Sequence, residues 1–93
     1  MSVAVLIPTN LRARTGGEKR VSAEGSTLAE VIGYLESSYA GLFAPLLDPA
    51  NPGNLRRFVN IYVNDKDVRL SGGLQTAIAD GDSLTILVAM AGG

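Results

Sequence analysis

The stretch Phe58-Val59-Asn60-Ile61-Tyr62-Val63-Asn64 alternates so that Val59, Ile61 and Val63 share one side of an extended chain. Period-two alternation of β-branched residues marks a strand with one face against a core. Val59, Ile61 and Val63 are therefore expected inside, with Phe58 and Tyr62 on the opposite face. Downstream, Asn64-Asp65-Lys66-Asp67 turns the chain into a short strand at Val68 to Leu70, which Ser71-Gly72-Gly73 breaks. Asp80-Gly81-Asp82 is a second turn signal, and Ser83 to about Ala89 reads as the last strand, with Thr85, Leu87 and Ala89 facing away from the core.

Upstream of the central strand, prolines and glycine punctuate Asp48-Pro49-Ala50-Asn51-Pro52-Gly53-Asn54 too closely for regular structure. This is an ordered surface loop rather than a linker, since neither flank is large enough to fold alone. Leu42 to Leu47 forms a short helical turn, limited by Pro45, that buries Leu42, Phe43, Leu46 and Leu47. Before it, Thr27-Leu28-Ala29-Glu30 fits a capping box, and Leu28, Val31, Ile32, Leu35 and Tyr39 recur at spacings of three and four. That stripe predicts one helix packed on a sheet, stopped at Gly41. Val3 to Ile7, closed by Pro8, and Lys19 to Ala23 are strands, and the polar stretch Thr9 to Gly17 between them is a long hairpin loop.

Two strands, a helix, then two or more strands, joined by short connections, place the helix across one face of a mixed sheet. The final strand then lies beside the first. The fold class is α+β, in the β-grasp arrangement of ubiquitin, with residues 1–93 forming one domain that ends in a flexible tail from about residue 89.

Such a chain buries roughly 60 to 65% of its unfolded surface, which leaves little core to spare. A hydrophobic share of 46% and a charged share of 18% suit a folded globule rather than a disordered tail. The net charge is -1 with basic and acidic residues interleaved, so nucleic acid is not an expected partner. There is no Cys and no His. That excludes a disulfide framework, a Cys/His zinc site, a Cys nucleophile and a His base, and no catalytic or metal-binding residue is assigned. A protein of this composition that handles sulfur cannot hold it as a cysteine persulfide, and only a modified carboxyl terminus remains. The apolar start Met1 to Pro8 lacks the layout of a signal peptide, and no run approaches the length of a membrane span. A cytoplasmic protein is expected, with no membrane partner.

Ala91-Gly92-Gly93 follows the last strand directly. Glycine has no Cβ, so two in succession pass through a channel too narrow for side chains and bring a carboxylate to a partner's active site. The same dipeptide occurs at Gly16-Gly17 and Gly72-Gly73, where turns explain it. Position after a terminal strand is what distinguishes the third.

Arg57 to Asp65, Asp67-Val68-Arg69, Ser71-Gly72-Gly73-Leu74, Thr76 to Asp82 and Ala91-Gly92-Gly93, with Leu11-Arg12 and Thr15-Gly16-Gly17, resemble the ubiquitin-like sulfur carrier proteins over nearly the whole chain. That family includes the small subunit of molybdopterin synthase and the thiamine-pathway carrier. The Gly-Gly end and the Asp-Gly-Asp turn are family-wide. The Arg57 to Asp67 stretch and the loop from Asp48 to Asn54 resemble the branch that supplies the O-phosphoserine-dependent cysteine synthase. Relatives often carry a proline near the position of Val88. Its absence here lets the last strand pair further toward the end.

The resemblance implies a co-substrate rather than an enzyme. A ubiquitin-activating-enzyme-like adenylyltransferase/sulfurtransferase would use ATP to convert the Gly93 carboxylate to an acyl-adenylate. Sulfide or a persulfide donor would then displace AMP, leaving a thiocarboxylate on Gly93. Met90, Ala91, Gly92 and Gly93 would enter partner active sites, and the five residues from Ala89 extend roughly 17 Å. No cofactor would be bound by the chain itself. The acceptor implied is a PLP-dependent cysteine synthase, where the sulfur adds to an aminoacrylate, an acyl shift gives a carrier-cysteine amide and a metalloprotease releases cysteine. Molybdopterin, thiamine, thiosugar or other secondary-metabolite enzymes are alternative acceptors. A ubiquitin-like modifier joined to lysines through Gly93 is an alternative class, as is a permanent subunit of a larger enzyme.

Phe58, Tyr62, Thr85, Leu87 and Ala89, if their strands are neighbours, form a small apolar patch suited to a transient interface. Either the Leu42 to Leu47 segment or the long loop would otherwise cover them. Arg56-Arg57 is a docking pair or a solvated one, and Asp80 with Asp82 is turn chemistry rather than a paired-carboxylate site. Asn64-Asp65-Lys66-Asp67 likewise falls short of a calcium loop.

Overall fold

The alternating segment is the strand β3, Val59–Val63, and its buried face is Val59, Ile61 and Val63, as the period-two pattern requires. The computed structural model describes residues 2–43, 46 and 59–88. The other strands are β1 (Ser2–Leu6), β2 (Arg20–Glu24), β4 (Lys66–Asp67) and β5 (Ser83–Val88), with one α-helix, α1 (Leu28–Ser38), between β2 and β3. They form a mixed sheet in the order β2-β1-β5-β3-β4. β5 lies parallel to β1 and antiparallel to β3, so the last strand is inserted at the centre. This is the ubiquitin-like β-grasp arrangement that the order of elements implied.

One core forms where the helix stripe meets the sheet. Leu28, Val31, Ile32 and Leu35 join Val3, Val5, Val59, Ile61, Leu84 and Ile86 in a single buried cluster, with Tyr39 packed partly against it. The helix start is capped on both sides. Thr27 Oγ1 accepts the Glu30 amide at 3.3 Å, while the Glu30 carboxylate accepts both the amide and the hydroxyl of Ser26 at 2.9 Å. Glu30 thus reaches one residue further out than a standard capping box, and these Ser26 donors hold its carboxyl below the ordinary value.

Three expectations about local structure change. Thr9 to Gly17 is not an open loop: Thr9–Thr15 is a 3-10 helix that buries Leu11 and Thr15, and it ends at Gly16 with φ 67°. The Thr15 hydroxyl lies 2.7 Å from the Glu18 carbonyl and 3.1 Å from that of Arg12, which satisfies a buried polar group inside a segment that reads as polar. Val68 to Leu70 is a 3-10 turn rather than a strand, because Asp67 accepts the Arg69 amide and starts a turn. A strand would put Val68 and Leu70 on one face, yet Val68 is buried and Leu70 is 89% exposed. Finally, α1 stops at Ser38, and Gly41 supplies the left-handed residue (φ 85°) of the turn beyond it.

That turn is held by Glu36, whose carboxylate accepts the amides of Gly41 and Phe43 and so seats Leu42 and Phe43 in the core. Leu46 is also buried, and its amide reaches the Phe43 carbonyl at 2.8 Å, consistent with a short helical turn. Leu47, Pro45 and the Asp48 to Asn54 loop lie outside the described residues.

Candidate functional site

The central position of β5 decides what the structure offers. Its pairing with β3 runs from Leu84 opposite Val63 to Val88 opposite Val59, so the strand is held to its last described residue. Its start is fixed as firmly. The Asp80 carboxylate accepts the Ser2 amide at 2.9 Å, and the Asn64 side chain bridges Asp82 (2.7 Å) and the Ser83 amide (2.9 Å). Asn64 and Asp65 both have positive φ, which closes the β3–β4 hairpin and brings Asn64 to β5. Donation from the Ala79 amide, and then from Asn64, holds the Asp82 carboxyl below its ordinary value of 3.8. Asp80 and Asp82 are therefore turn residues, as read from the sequence.

The face of the sheet turned away from α1 carries the remaining side chains of interest. Tyr62 stands directly across from Thr85, and both are half-buried. The next pair on that face is Asn60 and Leu87, with Leu87 50% exposed. Leu6 on β1 is in register with Thr85 from the other side. An open groove of about 720 Å³ follows this row, lined among others by Leu6, Pro8, Arg12, Thr85, Leu87 and Val88. The strands are neighbours, so Tyr62, Thr85 and Leu87 come together. Phe58, Ala89, Met90, Ala91, Gly92 and Gly93 lie outside the described residues.

Leu6, Asn60 and Arg12 belong to this surface and were not singled out from the sequence. Leu6 has the alternation signal, since it sits out of phase with Val3, Val5 and Ile7. Arg12 has none: its Nε donates to the Ile7 carbonyl at 3.1 Å, a contact set by the 3-10 helix. Arg69 is placed similarly, its guanidinium donating to Asn60 Oδ1 and to the Val59 carbonyl. Among the described residues no group of three or more His, Cys, Asp or Glu could hold a metal ion, and no helix is long and apolar enough to cross a membrane.

Residues 5–93 match the model of the ThiS family. The chain is 66% identical over 93 residues to the sulfur carrier protein CysO of Mycobacterium tuberculosis, covering the whole of both. The crystal structure of that protein superposes with a TM-score of 0.91 over 95% of this chain and 99% of that chain, at 65% identity. A chain of the crystal structure of the Amycolatopsis orientalis BexX/CysO complex gives a TM-score of 0.89 at 55% identity, covering 98% of this chain and 99% of that chain. Small archaeal modifier protein 3 of Haloferax volcanii is 31% identical over 70 residues, which is 75% of this chain and 73% of that protein.

Proposed function

The chain belongs to the ThiS family, and on that premise we propose that it is a sulfur carrier whose reacting group is the Gly93 carboxylate. The observation that carries this reading is identity of 66% along the full length of a sulfur carrier protein. A carboxylate is a poor electrophile, so its oxygen first attacks the α-phosphorus of ATP on a ubiquitin-activating-enzyme-like adenylyltransferase, and pyrophosphate leaves. Sulfide then adds to the acyl carbon and AMP departs, leaving the thiocarboxylate. With a persulfide donor the first product is an acyl disulfide, and a second thiol on the partner attacks the donor sulfur, releasing the thiocarboxylate and leaving a disulfide on the partner. Neither step asks the chain for an acid, a base or a metal. Its part is to deliver a narrow tail, and the absence of Cys and His from the sequence agrees with that division of labour.

In this reading β5 is the stalk of the tail. β1 pairs with this strand as far as Thr85 and β3 as far as Val88, which keeps Val88 in a fixed position relative to Tyr62, Thr85 and Leu87, so a partner that grips that face also aims whatever follows Val88. Met90, Ala91, Gly92 and Gly93 enter the partner's site, and Phe58 and Ala89 extend the docking face. The sulfur acceptor we propose is a PLP-dependent cysteine synthase, with a metalloprotease releasing the product.

The second reading is a protein modifier, which the likeness to a small archaeal modifier protein favours. The two readings differ in what accumulates in cells. A carrier appears in extract as free, thiocarboxylated small protein, whereas a modifier appears as high-mass conjugates joined through Gly93 to lysines. Conjugates without free thiocarboxylate would overturn the carrier reading.

A further inference from the structure

Among the described residues, most charges are sorted between the two ends of the sheet. Register and hydrogen bonds place five cations at the end where β5 finishes. Arg20 pairs with Leu6, the Ile7 amide donates to the Lys19 carbonyl, and Arg12 lines the groove together with Leu87 and Val88. Arg14 follows on the same 3-10 helix, and Arg69 donates to Asn60 and Val59, the β3 residues opposite Leu87 and Val88. All but Arg12 are exposed. Among the described residues two acids share this end, Glu18 and Glu36, and the second is engaged by the Gly41 and Phe43 amides, while Asp67, opposite Tyr62 and accepting the Arg69 amide, stands between the two ends.

The opposite end is acidic. Glu24 is in register with Ser2, whose amide donates to Asp80. Asp82 is tied to Asn64, Asp65 occupies the same hairpin turn, and Glu30 sits on the first turn of α1. Lys66 is the cation among them. Behind a net charge of -1, the described residues thus show a separation of charge along the strand direction.

We propose that these cations form a collar around the outlet of the tail, and that a protein which takes the tail meets it with an acidic rim around an apolar seat for Leu87. This rests on the tail-delivery reading above. An apolar centre ringed by charge is the anatomy of a transient protein interface, and opposite rim charges raise association rates more than they slow dissociation. The acidic end sharpens the effect. A carrier approaching an acidic cleft the wrong way round is repelled, so the field turns the Gly93 end toward the site before contact.

The test has two arms. In the first, a short oligo-glutamate peptide is titrated into the protein alone while backbone amide shifts are followed. Shifts are expected within residues 11–20, at Asn60 and at Arg69. They should vanish in about 0.5 M salt, where the Debye length falls to a few ångströms, and in the variant Arg14→Glu/Arg20→Glu. In the second, the association rate with the adenylyltransferase is measured against ionic strength. That variant should associate about tenfold more slowly at low salt and match wild type at high salt, while Lys66→Glu associates no more slowly than wild type. Peptide shifts that are absent, scattered or centred on Asp80 to Ser83 overturn the collar. So does an association rate insensitive to salt, or tighter binding of an oligonucleotide of equal charge. Should no adenylyltransferase engage the wild type, the activation reading fails, and the peptide arm still decides the collar.

Discussion

Ile61 and Ile86 face one another across the β3–β5 ladder, and both are buried beneath α1. One step along the same ladder, Asn60 and Leu87 oppose one another on the other face of the sheet, where Leu87 is 50% exposed. Neighbouring positions on the two paired strands thus have different consequences. Ile61→Ala should lose about 2 to 5 kcal/mol by leaving a cavity. Leu87→Ala should leave the urea midpoint nearly unchanged while weakening affinity for the activating enzyme. Urea denaturation and titration calorimetry on both variants check this. An unfolded Leu87→Ala protein with normal affinity per folded molecule would reverse the assignment of faces.

Glu36 should matter more than its position late on a helix suggests. Its carboxylate accepts the amides of Gly41 and Phe43, and removing an acceptor from partly buried donors costs about 1 to 3 kcal/mol. Glu36→Ala should fall in that range by urea denaturation and should loosen Leu42 and Phe43, seen as faster amide exchange at both. A variant as stable as wild type would mean that water replaces the carboxylate without cost.

This contact also shows where the sequence stops being legible. Alternation and the three-and-four spacing are local, so β1 could be read directly, as could β3, β5 and α1 with their buried faces. What depended on a side chain reaching the backbone several residues away could not. Glu36 to Phe43, Thr15 to Glu18 and Asp67 to Arg69 each tie a turn, and the last two accompany 3-10 helices where a loop and a strand were expected. The proposed docking face was half legible for the same reason. Tyr62, Thr85 and Leu87 follow from period two, whereas Arg12 and Arg69 arrive by tertiary hydrogen bonds to Ile7 and Val59.

The Asp82 carboxylate should contribute to acid sensitivity. Its folded-state value lies below 3.8 because the Ala79 amide and then Asn64 bind the charged form. A depressed carboxyl stabilises the fold above its unfolded value, and that contribution is lost as pH falls through the folded one. Thermal melts of wild type and Asp82→Asn between pH 7 and pH 2 should therefore differ at neutral pH and converge at the acid end. A constant difference across the range would assign the effect to shape rather than charge.

A channel that admits glycine should reject a Cβ near the reacting carbonyl. Gly92→Ala should slow adenylation at saturating ATP, while Ala91→Gly, further from the reacting carbonyl, should have a milder effect. Deleting Gly92 and Gly93 should leave thermal stability nearly unchanged. Equal, near-wild-type rates for the two substitutions would leave the glycines as flexible spacers alone.

The central claim is tested most directly by intact mass. The protein is incubated with the adenylyltransferase, ATP and a sulfide source, and its mass is compared before and after, with fragmentation to locate any change. The account predicts a gain equal to the replacement of one oxygen by one sulfur, confined to Gly93, dependent on ATP and absent from the protein lacking Gly92 and Gly93. The same gain in that truncated protein, or a gain located elsewhere in the chain, would contradict it.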